Sequence, residues 1–208
     1  MNRASRMMTK PEFRALVRVA RDRKGRAAQR DAAMLWFLGR SGLRITEALA
    51  LTVEDAILDA KPAFVRVRTL KRRGKGDAWD DVYLDRTTTA RLERWIAHGL
   101  RRCLGRKARP TDPIFPAAFG ALEAARMTRR NGTRIFRFYA KRANLRAGIT
   151  LHSLRHHSGT ATYHATGDLQ FVRQQLRHRR LTSTQVYLHS DPERVRGYLE
   201  QLEEELSR

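Results

Sequence analysis

Cysteine is almost absent from this chain. Cys103 stands alone among 208 residues, so no intramolecular disulfide can form and no zinc finger with paired cysteines can be built. Long apolar runs are missing as well. The longest, Ala32–Leu38, falls far short of the ~20 apolar residues that a membrane-spanning helix needs. The amino-terminal MNRASRMMTK is basic and lacks the apolar stretch of a secretory leader. No internal repeat or low-complexity tract interrupts the sequence. These absences predict a soluble, cytoplasmic protein without a membrane partner.

Negative charge is the other scarcity. The chain has 21 Asp plus Glu against 43 Lys plus Arg, a formal net charge of +22. A surplus of that size implies a strongly anionic partner, most commonly nucleic acid, and hence a nucleoid-associated setting. It is also unevenly placed. Between Ala124 and Ser190 the only acidic residue is Asp168, while 13 residues are Arg or Lys and six of the seven histidines lie there. Charge alone is equally compatible with a solvated basic surface or a ribosome-type RNA binder.

With 41% hydrophobic residues the chain can bury a real core, as one large domain or two small lobes. The patterning is mainly α with a small antiparallel β-sheet, an α+β class. Thr9-Lys10-Pro11-Glu12 reads as a capped helix start. A second helix is expected over about 27–38, stopped by Ser41-Gly42, and a short third over 44–51. The alternation of AFVRVRTL at 63–70 predicts a half-buried strand, RRGKGD at 72–77 a turn, and WDDVYL at 79–84 the returning strand. Helices follow at about 86–104, 129–147, 153–166, 168–177, 182–188 and 192–207. The segment 105–119, with three prolines, is expected to be a loop between lobes.

The chemistry is concentrated in two blocks. The first is GLRITE at positions 42–47, which places Arg44 and Glu47 three residues apart. The second is LHSLRHHSGTATYHATGDLQFVRQQLRHRRLTSTQVYLHS at 151–190. It holds His152-x-x-Arg155, then His178 after 23 residues and Tyr187 nine later. Arginine suits a phosphodiester because its planar fork pairs two oxygens and keeps its charge. Tyrosine, with an ordinary pKa near 10, needs neighbouring cations to become a nucleophile at neutral pH.

That order and spacing resembles the active site of the tyrosine recombinase and phage-integrase family. The resemblance implies a catalytic domain that cleaves and rejoins double-stranded DNA through a 3′-phosphotyrosyl bond, with no cofactor and no metal. By that likeness Tyr187 is the nucleophile and Arg44 with Arg155 clamps the phosphate. His178 hydrogen-bonds a non-bridging oxygen, His152 assists proton transfer at Tyr187, and Glu47 orients Arg44 or His152. The family's general acid is a lysine on the β-hairpin. Lys71 at the strand end is favoured over Lys75 in the GKG turn, because a strand end holds a side chain better and its distance from Arg44 is closer to the family's. Arg177 departs from the family's usual glycine before the second histidine.

The likeness covers the whole chain from about residue 9 and is to the catalytic domain alone, expected over residues 1–190, without the N-terminal helical domain of larger members, as in the short fimbrial phase-variation recombinases. It implies a monomer free in solution and a homotetramer on paired sites. The helix at 129–147 has Phe136, Tyr139, Ala140 and Ala143 on one side and Arg130, Arg134, Arg137 and Lys141 on nearly the opposite one, a candidate DNA-binding stripe. Residues 191–208 are acidic, with Val195, Leu199, Leu202 and Leu206 in one helical stripe, and form either part of the domain's own core or a segment that docks on a neighbouring protomer.

Three rival functions remain open at this point. A type IB topoisomerase needs the same residues, and a DNA-binding regulator could keep the fold without the chemistry. The histidines 152, 156, 157 and 164 include one pair at the i, i+4 spacing of a zinc site, yet the accompanying glutamate of that motif is missing.

Overall fold

The computed structural model describes residues 7–69, 78–117 and 124–178. Its contacts divide the chain into two compact units, residues 1–158 and 159–208. The helices expected at 182–188 and 192–207, and the domain boundary expected at residue 190, lie outside the described residues.

The first unit is built on two long helices, α1 (Lys10–Asp22) and α2 (Arg26–Ser41). Thr9 caps α1 as its sequence predicts: its hydroxyl accepts the Glu12 N–H at 3.3 Å, and the Glu12 carboxylate accepts the Thr9 N–H at 2.7 Å. Phe13, Leu16, Val17 and Ala20 recur at helical spacing and are buried. Phe13 lies on α2 so closely that a side chain at Gly39 would meet its ring at 2.2 Å. Helix α2 runs one turn beyond its expected end at residue 38. Gly42 then terminates it in a left-handed conformation (φ 67°) and returns its N–H to the Leu38 carbonyl at 3.2 Å.

Helix α3 (Ile45–Ala50) follows, then a 3-10 turn and an antiparallel sheet of order β1-β2-β3: Ala56–Ile57, Phe64–Thr69 and Ala78–Tyr83. Val65 pairs Val82 and both are buried, while the neighbouring pair Arg66–Asp81 faces out and forms a 3.5 Å ion pair. Strand β1 has only two residues, too few to show the alternation by which a strand is read. Helix α4 (Arg86–Arg94) starts at Asp85, whose carboxylate accepts the Thr87 and Thr88 N–H groups, and continues through a π-helical turn (Trp95–Leu100) into α5 (Arg101–Leu104).

The segment expected to separate lobes instead packs on the first unit. Ile114 and Phe115 are fully buried, and the Ile114 carbonyl accepts the Trp95 indole N–H at 2.8 Å. Arg106 holds Asp112 through two bonds of 2.6 and 2.8 Å, and the buried Arg30 donates to the carbonyls of Pro116 and Ala117. A proline-rich composition marks a non-helical path, and two large apolar residues within it decide that the path is buried.

Helix α6 (Arg129–Arg142) is capped by Thr128 and ends five residues before its expected limit, where Asn144 turns left-handed (φ 49°). Helix α7 (Leu151–Thr166) begins in the first unit and ends in the second. The second unit holds α8 (Leu169–Leu176), capped by Asp168, with Val172 and Leu176 buried against Tyr163 and Leu169. A mainly helical chain with one small antiparallel sheet is the architecture that the patterning implied.

His157, on α7, points into the core of the first unit. Its ring lies tilted against Phe13, with centroids 4.5 Å apart, and its Nδ1 lies 3.3 Å from the Met8 carbonyl. Burial, followed by the cations Arg40 and Lys10, pushes its pKa down to about 4. Because the folded state disfavours the proton, this stabilisation is complete above pH 6.5 and is lost as pH falls from 6.5 towards 4. Chemical denaturation should therefore show stability dropping by up to roughly 3 kcal/mol over that window through this residue. His157→Phe should flatten that dependence; an unchanged slope would place the proton uptake elsewhere.

Candidate active site

The site grows from the carboxyl end of α2. The last carbonyls of a helix lack intrahelical partners and carry partial negative charge. Here helix α7 supplies a donor for one of them and another for the carbonyl of Gly42, just past the helix end. Ser158 Oγ donates to the Arg40 carbonyl at 2.9 Å, and Arg155 Nη1 donates to the Gly42 carbonyl at 2.7 Å. Arg155 is only 3% exposed, so this contact fixes a buried cation in place. The left-handed turn at Gly42 presents the carbonyl that Arg155 takes, which explains why glycine is needed there.

Two residues past Gly42 the chain reaches Arg44, whose guanidinium is half exposed. Glu47 accepts both the Arg44 backbone N–H (2.7 Å) and its Nη1 (2.9 Å), and is itself largely buried. The acidic residue three positions on thus orients Arg44. Helix α3 is held close against α6 because Gly132 has no side chain: a Cβ there would sit 3.1 Å from Ile45.

His152 completes the cluster in the first unit. Its pKa is lowered by partial burial first, then by the cations of Arg155 and Arg44. Arg155 lies one helical turn after His152 on α7 and is bonded to Gly42, two residues before Arg44. The shift favours the uncharged imidazole, which can accept a proton, while the arginines supply positive charge for an anion. Its ring meets His156 edge-on at 4.6 Å, and His157 turns into the core. Among the described residues no group of three His, Cys, Asp or Glu is arranged to hold a metal.

In the second unit, α8 ends in a Schellman turn: the Arg177 N–H bonds the Gln174 carbonyl and the His178 N–H bonds the Arg173 carbonyl at 3.0 Å. Arg177 takes the left-handed position (φ 53°, ψ 47°) where a glycine would be unstrained, at a cost of order 1 kcal/mol. That turn delivers His178, half-buried, just past the helix. Lys71, its alternative Lys75, and Tyr187 lie outside the described residues.

On α6 the four basic residues share a solvent face. Arg130, Arg134, Arg137 and Lys141 are all exposed, opposite the buried Phe136 and Tyr139. The sequence reading overlooked Ser158, Gly132 and Arg126; Arg126 donates to the Ala50 carbonyl at the end of α3. Their roles depend on what they touch across the fold, and no local pattern signals that.

Comparison with known proteins follows the same lines. The phage integrase family model matches residues 6–194. Tyrosine recombinase XerD of Pseudomonas putida is 32% identical over 161 residues, covering 77% of this chain and 50% of that protein. Tyrosine recombinase XerC of Pelotomaculum thermopropionicum is 30% identical over 194 residues, covering 93% and 60% respectively. The chain thus spans about half the length of the XerD it matches. Among solved structures, XerA recombinase superposes with a TM-score of 0.70 at 22% identity, over 94% of this chain and 62% of that one. The catalytic domain of bacteriophage HP1 integrase gives 0.57 at 14% identity, over 93% of both chains. These likenesses do not single out the fimbrial phase-variation branch. With the family model spanning nearly the whole sequence, the chain belongs to the phage integrase family.

Proposed function

We propose that this chain is the catalytic domain of a site-specific DNA recombinase that works through a covalent tyrosyl intermediate. The observation that carries the reading is the bond from Arg155 to the Gly42 carbonyl, which ties the helix bearing His152 and Arg155 to the chain two residues before Arg44. Its partner is double-stranded DNA, in keeping with relatives such as XerH, solved bound to its difH substrate. In this reading the Tyr187 hydroxyl attacks the phosphorus and the bond to the 5′ oxygen breaks. A 3′-phosphotyrosyl bond and a free 5′ hydroxyl result. The phenolic proton passes to the uncharged His152, and Lys71 gives a proton to the departing oxygen. Arg44, Arg155 and His178 stabilise the charge on the remaining phosphate oxygens. Because the energy of the broken bond is kept in the phosphotyrosine, a different 5′ hydroxyl can reverse the step without a cofactor.

Exchange between two duplexes calls for four such domains on paired sites, assembled from protomers that are monomeric without DNA. A type IB relaxase would use the same residues, but the relatives matched are recombinases. DNA as substrate also fits a cytoplasmic, nucleoid-associated setting.

Nicked suicide duplexes carrying candidate sites should trap a covalent adduct with the wild-type protein. Tyr187→Phe should abolish the adduct while leaving DNA affinity within a few-fold, and EDTA should change neither. An adduct surviving in Tyr187→Phe would move the nucleophile to another residue.

The exposed α6 stripe is the proposed contact to the phosphate backbone. Neutralising roughly six to ten phosphates would weaken binding by about 10³–10⁵ between 50 and 200 mM salt. Arg134→Ala and Arg137→Ala should each reduce the slope of log affinity against log salt by about one unit. Unchanged slopes in both variants would remove this helix from the DNA interface.

A further inference from the structure

A cavity of about 350 Å³ opens beside α3, between its exposed side and the sheet. Its lining includes Thr46 and Glu47 from α3, Glu54 from the 3-10 turn, Arg68 and Trp79 from β2 and β3, and Arg126. Two features separate it from the basic surfaces elsewhere. It is of mixed sign, since Glu47, Glu54 and Asp55 face Arg66, Arg68 and Arg126. Three carboxylates make it a poor seat for phosphate. It also has an aromatic wall: Trp79 is 50% exposed and makes no ring contact among the described residues.

Most of the polar lining is already engaged. Glu47 holds Arg44, Asp55 accepts from the Thr52 N–H and hydroxyl at 2.7 and 2.8 Å, Arg66 pairs with Asp81, and Arg126 donates to the Ala50 carbonyl. Glu54 is different. Among the described residues its exposed carboxylate has no hydrogen-bond or ion-pair partner. An aromatic face beside an unengaged acceptor is the chemistry that recognises a nucleobase: the ring stacks, and the carboxylate accepts from an exocyclic amino group.

We propose that this cavity holds one unpaired nucleobase, stacked on Trp79 and read by Glu54, with a preference for amino-bearing bases over thymine. The proposal rests on the recombinase reading in one respect. A strand that is cut and rejoined to a different 5′ end must leave its complement, which exposes bases next to the phosphate held by Arg44, and Glu47 belongs to both places. A base captured there would keep the released strand from simply re-pairing.

Binding can be read without cleavage in the Tyr187→Phe protein, using short duplexes that carry one extrahelical 2-aminopurine, cytosine or thymine, with fully paired duplexes as controls. Emission of the extrahelical 2-aminopurine should be quenched on binding, and the bulged duplexes should bind roughly tenfold tighter than paired ones. Trp79→Ala should remove both effects while leaving affinity for paired duplex within about twofold, and Trp79→Phe should keep most of the preference. Glu54→Gln should equalise cytosine and thymine bulges without losing the preference for a bulge. Equal affinity for bulged and paired duplexes, or quenching that persists in Trp79→Ala, would overturn the proposal. Since no covalent step is involved, such a failure leaves the recombinase reading standing. A missing covalent adduct in the wild-type protein would defeat that reading and leave this binding result as it is.

Discussion

The contact between Arg155 and the Gly42 carbonyl holds the site together. It joins the end of α2 to α7 through a charge that is almost wholly buried. A guanidinium removed from water must find oxygen partners, and a hydrogen bond to a charged group contributes about 1.5–3 kcal/mol. The Gly42 carbonyl, just past the last residue of α2, is such a partner. Gly42 makes the geometry possible by turning left-handed, which directs its carbonyl to Arg155 and starts the short path to Arg44. Ser158 ties α7 to the Arg40 carbonyl at the same helix end. One helix terminus thereby sets the relative position of two cations that are far apart in sequence.

The electrostatics of His152 follow from that arrangement. Burial and two flanking cations all disfavour its protonated form. An imidazole whose protonated form is disfavoured can accept a proton, and cations beside it favour an anion. Glu47 keeps Arg44 aimed and absorbs part of its charge. The surface around this cluster is differentiated as well. The α6 stripe offers only positive charge, whereas the cavity by Trp79 offers both signs and an aromatic face.

Much of this was legible in the sequence wherever a local rule governs. The Thr9–Glu12 cap, the alternation around Val65 and Val67, and the His152-x-x-Arg155 spacing each express a short-range geometry that survives folding. The left-handed turn at Arg177 was legible as a departure from glycine, and the backbone there does take the strained conformation. What escaped depends on distant partners. The prolines of 105–119 mark irregular backbone and so suggest a connection between lobes, yet Ile114 and Phe115 draw that path into the core. The short strand β1 is defined by its pairing with β2 alone. The end of α6 is set at Asn144 by a backbone turn that its composition did not announce. The partner of Arg155 is a backbone carbonyl more than a hundred residues away, which no spacing rule can name.

The most direct test of the convergence is the titration of His152 itself, followed by NMR of its assigned ring protons in the absence of DNA. With Arg44 and Arg155 close by, the imidazole should titrate below its ordinary value of about 6.5. Arg44→Ala, which removes an exposed cation without opening the buried Arg155 contact, should move that pKa upward. A His152 that titrates at its ordinary value in the wild-type protein, or that does not respond to Arg44→Ala, would contradict the assembly of the two arginines around it.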